Sequence, residues 1–131
     1  ASIFTKIIQG DIPSYKIAED DRFLAFLDIN PLSKGHTLVV PKVEIDYLFD
    51  LDDDLLGDMI KFAKKVALAI DSTMDCKRVG IAVLGLEVPH AHIHLCPIND
   101  LYDIEFSKPK LKLSEEEFKK IAESISAAVS L

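Results

Sequence analysis

Histidine is scarce in this 131-residue chain, and three of its four copies fall within five residues, in His90-Ala91-His92-Ile93-His94-Leu95-Cys96. Imidazole is the side chain that can attack, donate and accept a proton near neutral pH. On a strand, alternate side chains share a face. The pattern therefore predicts three imidazoles on one face, with Ala91, Ile93 and Leu95 in the core. Neighbouring histidines would then lie roughly 6.5–7 Å apart, close enough for two or three to meet one phosphate. Three readings compete: a solvated polar strand face, a metal site, and phosphoryl or nucleotidyl transfer. The i, i+2 spacing suits zinc, with His94 or His36 as a third ligand. All three strand histidines, however, span about 13 Å and cannot reach one ion at ~2 Å without bending the strand. In the transfer reading one imidazole attacks phosphorus, while the others stabilise the equatorial oxygens or handle protons. His36 opens a second apolar strand after the Pro31–Gly35 loop, a junction from which a side chain can point into a site.

The elements that must position these residues follow from local pattern. Residues 3–9 predict a short helix, ended by Gly10-Asp11 and Pro13. Tyr15–Glu19 and Phe23–Leu27 read as a hairpin around Asp20-Asp21, and His36–Val40 as a buried strand closed by Pro41. A long helix starts near Asp52-Asp53-Asp54, whose acids suit the positive end of its dipole, and Leu55, Leu56, Met59, Phe62, Ala63, Val66 and Ile70 give it an apolar stripe. Val79–Leu84 and Ala91–Ile98 predict two further strands. Ser114–Glu117 matches a capping box that opens a last helix, with Phe118, Ile121, Ile125 and Val129 on one face. The sum is an α+β domain with a mainly antiparallel sheet.

Composition narrows the partners. With 22 acidic and 15 basic residues the formal charge is −7, so no broad basic face is available for a nucleic acid polymer or an anionic membrane. No apolar run is long enough to span a bilayer, and the first residues lack the layout of a signal peptide. Cys76 and Cys96 stand outside any C-x-x-C spacing and are expected as reduced thiols, Cys96 without a nucleophilic role. The expected setting is the cytoplasm.

The histidine run resembles the H-φ-H-φ-H-φ-φ signature (φ apolar) of the histidine-triad, or HIT, nucleotide hydrolases and transferases. Ile3-Phe4-Thr5-Lys6-Ile7-Ile8, then Ile12-Pro13 and Glu19-Asp20-Asp21, resemble the opening of the Hint branch. Phe26-Leu27-Asp28-Ile29-Asn30-Pro31, followed by Gly35-His36-Thr37-Leu38-Val39-Val40-Pro41-Lys42, resembles its nucleotide-binding block. The resemblance runs over about residues 2–98. It implies a HIT-like fold of five mainly antiparallel strands with a long helix and a C-terminal helix, one domain over 1–131 in which 101–131 is a C-terminal extension.

The resemblance also implies roles. His92 becomes the nucleophile that attacks the α-phosphate of a purine nucleoside phosphoramidate or related conjugate, giving a nucleotidyl-histidine that water resolves. The carbonyl of His90 would hold the nucleophile's Nδ1–H, His94 would contact phosphate and leaving group, and His36 would support His90. Asp28 matches the ribose-binding acid; Phe4, Ile7, Phe26 and Ile29, with Ile3 nearby, match the purine pocket. No metal or other cofactor is implied, and a homodimer joining two sheets is. The four histidines are expected to protonate in the field of a bound phosphate.

The departures bear on activity. Where the family carries an Asn-x-Gly and a Gly-Gln-[Ser/Thr], this chain has Val79-Gly80-Ile81 through Gly85-Leu86-Glu87. Glu87 beside a phosphate is expected to weaken binding unless it is turned away or faces a cationic, amine-bearing leaving group. Two alternatives follow: a nucleotide-binding protein with weak or lost turnover, and a metal-dependent hydrolase using the H-x-H pair. The Cys-x-x-Cys that holds zinc in some relatives is replaced by Ser2 and Thr5. The extension, with its final helix, is expected to pack an apolar face or to lie near the leaving group.

Overall fold

A computed structural model describes all 131 residues. Helix α1 (Ile3–Ile8) begins at Ser2, whose Oγ accepts the Thr5 N–H at 3.0 Å and so satisfies one of the free donors of the first turn. Strands β1 (Lys16–Glu19) and β2 (Phe23–Leu27) form the expected hairpin. Its turn is set by Asp20, which accepts the N–H groups of Arg22 and Phe23 at 2.9 Å each. Strand β3 (Thr37–Pro41) follows, then α2 (Asp53–Thr73), β4 (Arg78–Ala82), β5 (Ile93–Ile98) and α3 (Glu115–Ala128). The sheet order is β1-β2-β3-β5-β4, antiparallel throughout.

Alternation along the strands divides the sheet into two unlike faces. Phe23, Ala25, Leu27, Val39, Ile93 and Leu95 meet the stripes of α2 and α3 in a 20-residue core. The α3 capping box is present, and Phe118, Ala122 and Ile125 are buried in this same core. The last helix therefore helps to build the fold. On the opposite face Phe4 of α1 joins Leu24, Phe26, Leu38 and Val40 in a cluster of five buried residues. Cα pairing of His94 with Leu38 puts that histidine on this second face.

Two strand expectations change. β4 ends at Ala82 instead of Leu84, and β5 starts at Ile93 instead of Ala91. A tight turn (His90 N–H to Val88 O, 2.8 Å) and a bond from Ala91 N–H to Ile45 O (2.7 Å) take the backbone of 90–91 out of the sheet. The alternation nevertheless persists through this segment: Ala91, Ile93 and Leu95 enter the core, and the three imidazoles lie on the side of Phe4, although only His94 belongs to β5 itself. Both cysteines are free, Cys96 fully buried and Cys76 partly so. No helix is long and apolar enough to cross a membrane.

Candidate active site

Where β3 begins, the chain turns sharply at Gly35, whose φ of +96° lies in the region that favours glycine. The turn delivers His36 to the second face of the sheet at 1% exposure. There the Leu32 N–H donates to His36 Nδ1 at 3.0 Å. A ring nitrogen that accepts carries no proton, so neutral His36 holds its hydrogen on Nε2. That Nε2 lies 2.9 Å from His94 Nδ1 and donates to it. Neutral His94 is thereby left with an Nε2–H.

His92 is fixed from the other direction. Its Nδ1 lies 2.7 Å from the carbonyl oxygen of His90. A carbonyl only accepts, so His92 carries its proton on Nδ1 and the neutral ring keeps its lone pair on Nε2. The rings of His92 and His94 meet edge to face, 5.0 Å between centroids, and Phe4 packs edge-on against His92 at 5.0 Å. Together the two histidines offer one nitrogen lone pair and one N–H side by side.

The His90 imidazole points elsewhere. Its Nε2 donates to Pro41 O at 2.8 Å, and its Nδ1 lies 2.7 Å from Ser2 Oγ. His36 touches His94, and the His90 ring is held by α1 and the end of β3. The sequence expectation that His36 supports His90 is corrected by these contacts.

One cavity of about 470 Å³ gathers the remaining candidates. His36, His92 and His94 form its polar end; Ile3, Phe4, Ile7, Phe26 and Ile29 supply apolar wall; Asp28 and Glu87 bring carboxylates. A second depression, around Arg22 and the aspartates that open α2, is lined only by charged groups and has no histidine. Asp28 accepts the Asn30 N–H at 2.9 Å through Oδ1, and its Oδ2 stands 3.6 Å from His36 Nε2. Burial raises its proton affinity above the usual aspartate range, although the Asn30 N–H opposes the shift.

Burial shapes the electrostatics of these histidines. Burial, with the neighbouring His94, holds the His36 pKa down to about 3; burial, with His92, holds His94 down to about 4. Burial also lowers His90, and it pushes the Cys96 thiol up to about 12. His36 and His94 thus act as neutral hydrogen-bonding groups near pH 7.

The metal reading can be tested on the same contacts. Ligand atoms of Asp28, His36 and His94 all lie within 4.8 Å of one another. His36 Nε2, however, bears the proton demanded by the Leu32 N–H on its other nitrogen, so it has no lone pair for an ion. The H-x-H pair fails as well, since both ring nitrogens of His90 are engaged outside the cavity. In these tautomers the cavity offers an ion a single imidazole lone pair, that of His92 Nε2, so the contacts do not favour a metal.

Two wall residues escaped the sequence reading. Phe106 packs its ring edge against His94 at 4.7 Å and against His36 at 6.1 Å, and Lys110 lines the cavity beside them. The Lys110 ammonium donates to the carbonyls of Phe106 and Lys108, and the Leu111 N–H ties the segment to Pro31 O at 2.9 Å. The one local signal was an aromatic within a polar stretch, Glu105-Phe106-Ser107. Leu86 is 90% exposed at the cavity mouth, next to Glu87.

A cavity of about 470 Å³ lined by hydrogen-bonded histidines, on one face of a five-stranded antiparallel sheet, points to a histidine-triad protein. The chain belongs to the HIT domain family, whose model matches residues 9–101. It is 41% identical over 133 residues to an uncharacterized HIT-like protein of Borreliella burgdorferi, covering 95% of each chain. It is 38% identical over 129 residues to the adenosine 5'-monophosphoramidase hnt1 of Schizosaccharomyces pombe, covering 97% of each. Among solved structures, a Hit-like protein from Bartonella henselae superposes with a TM-score of 0.85 at 32% identity, over 98% of this chain and 96% of that one.

Proposed function

We propose that this chain is a nucleotide hydrolase acting at the α-phosphate of purine nucleoside phosphoramidates or related nucleotide conjugates, with His92 as nucleophile. The observation that carries the reading is the 2.7 Å bond from His92 Nδ1–H to the His90 carbonyl, which leaves a lone pair on Nε2. Likeness to the S. pombe adenosine 5'-monophosphoramidase supports the substrate class. In the first step Nε2 forms a bond to phosphorus and the bond to the leaving nitrogen breaks. The leaving nitrogen departs as the amine, carrying the proton it already holds in the protonated phosphoramidate, while His94 Nε2–H donates a hydrogen bond to a phosphoryl oxygen. Water then attacks phosphorus, the P–Nε2 bond breaks to restore His92, the released amine takes up the water's proton, and the nucleoside monophosphate leaves.

The other cavity residues divide the substrate between them. Asp28 suits the ribose hydroxyls as an acceptor, and Phe4, Ile7, Phe26 and Ile29, with Ile3, suit the purine. Glu87 suits an amine-bearing leaving group. The whole chain works as one domain, with 101–131 as an extension that walls the site. Two copies pair through the open edge of β4, where Ile81, Val83 and Leu84 are exposed. Two unpaired cysteines suit a cytoplasmic setting.

Incubation with adenosine 5'-phosphoramidate should release AMP, and His92→Ala should slow that release by about 10³-fold or more. Rapid denaturing quench of the wild type should trap an adenylylated His92 by mass spectrometry. Equal rates in the two proteins would remove His92 as nucleophile. AMP binding without turnover, with turnover appearing in Glu87→Ser, would make the chain a nucleotide-binding protein.

A further inference from the structure

On the outer side of the triad lies a second polar cluster, formed by Ser2, Thr5, Glu44 and His90, that the reaction scheme leaves unused. Glu44 Oε1 accepts both the Ser2 N–H and the Thr5 hydroxyl, each at 2.6 Å. Thr5 has only one hydroxyl proton and gives it to Glu44. Ser2 is buried, and its Oγ accepts the Thr5 N–H at 3.0 Å and stands 2.7 Å from His90 Nδ1. Because His90 Nε2 donates to Pro41 O, neutral His90 has its acceptor at Nδ1, and the Ser2 hydroxyl is the donor that meets it. Thr5 Oγ1 is farther from that nitrogen, at 3.4 Å.

We infer that Ser2 is a positioning residue for the reaction: its hydroxyl clamps the His90 ring, and the clamped residue presents the carbonyl that orients His92, with Glu44 holding Ser2 and Thr5 in place. The inference rests on the proposed role of His92. With both ring nitrogens engaged at 2.7 and 2.8 Å, His90 cannot rotate without leaving a buried polar atom unpaired. The carbonyl of that same residue is the only acceptor on His92 Nδ1, so its direction selects which His92 nitrogen holds the lone pair. The first turn of α1 thus acts on the nucleophile at two removes, in addition to supplying Phe4 to the cavity wall.

Serine also caps α1, so the test must separate the cap from the clamp. Glycine is nearly as good a cap as serine but has no hydroxyl. Ser2→Gly should lower kcat for adenosine 5'-phosphoramidate roughly tenfold, the loss expected for one hydrogen bond, with KM and the AMP dissociation constant within about twofold of wild type. The proton NMR signal of His92 Nδ1–H should broaden or exchange faster in the same variant. Ser2→Thr should restore both. Since Thr5 could turn its hydroxyl toward His90, Ser2→Gly/Thr5→Val serves as the second variant and should show the larger loss. Wild-type kcat and an unchanged resonance in the double variant would overturn the inference. So would a loss confined to melting temperature and AMP affinity. The resonance needs no turnover, so failure of the His92 mechanism would be visible separately, as an undiminished rate in His92→Ala.

Discussion

His36 Nε2 donates to His94 Nδ1 across 2.9 Å, and the direction of that bond is set by a main-chain N–H on the far side of the His36 ring. The Leu32 amide excludes a proton from His36 Nδ1, His36 in turn excludes one from His94 Nδ1, and His94 faces the cavity as a donor. The His90 carbonyl imposes the opposite state on His92, with its proton at Nδ1. Two chemically identical side chains thereby become a hydrogen-bond donor and a ring with a free Nε2 lone pair through the backbone groups behind them. In a buried setting each of these bonds is costly to leave unmade, so the tautomers are part of the fold.

That arrangement makes stability depend on pH in a predictable sense. Folded His36 and His94 have proton affinities held down to about 3 and about 4, whereas unfolded histidine titrates near 6.5. Above pH 7 the rings are neutral in both states and the difference contributes nothing. As pH falls below about 6.5 the unfolded chain takes up protons that the folded chain refuses, so stability declines. Two such groups together give a slope of at most about 2.7 kcal/mol per pH unit around pH 5, and the lowered His90 acts in the same sense. Asp28, whose folded affinity is raised, opposes the decline only nearer the carboxylate range. Urea unfolding across this window should show the slope, and His36→Gln should roughly halve it. A stability that holds level down to pH 4.5 would contradict the neutral assignment.

Gly35 connects backbone conformation to this site. Its φ of +96° is one that a side chain resists, and an added Cβ would stand 3.0 Å from Met74 Cγ and 3.2 Å from Pro97 Cγ. The adjoining residue is His36, whose N–H bonds Ser33 O and whose carbonyl receives the Asp28 N–H. Gly35→Ala should cost about 2–3 kcal/mol, the sum of the backbone strain and the adjustment of Met74. It should also lower kcat by displacing His36 from His94. Denaturant midpoints together with steady-state rates would check this, and a loss of stability with kcat intact would show that the turn does not position His36.

Much of this molecule was legible in its sequence because local signals were strong. Asp20 in the hairpin turn, the α3 capping box and the stripe of α2 act over a few residues, and each element formed where its pattern lay. The histidine run keeps its predicted alternation, but its strand starts two residues late for a nonlocal reason. Ala91 N–H bonds to Ile45 O, a partner 46 positions away whose approach no alternation pattern reports, and this contact helps to pull His90 off the strand. The partnership of His36 with His94 was hidden similarly, since it depends on β3 pairing with β5 across the intervening α2. Phe106 escaped because one aromatic in a polar segment carries no periodicity, and only the tie from Leu111 to Pro31 brings it to the site.

Phe106 offers the sharpest probe of how the extension contributes. Its ring covers His94 at 4.7 Å, and burial is the main reason that His94 resists protonation until about pH 4. Phe106→Ala admits water beside the imidazole and relaxes that penalty, so the His94 proton affinity should rise toward its ordinary value. A protonated His94 bears a hydrogen on Nδ1 and loses the bond from His36, so the reactive form is the neutral one. The acid limb of the kcat/KM profile for adenosine 5'-phosphoramidate should therefore move to higher pH, by about one unit or more. At pH 8, where both proteins hold neutral His94, their rates should differ far less than at pH 5. Phe106→Leu, which keeps an apolar cover, should retain most of the wild-type profile. An acid limb that stays in place in Phe106→Ala, while the protein remains folded, would show that the extension does not control the ionisation of the site.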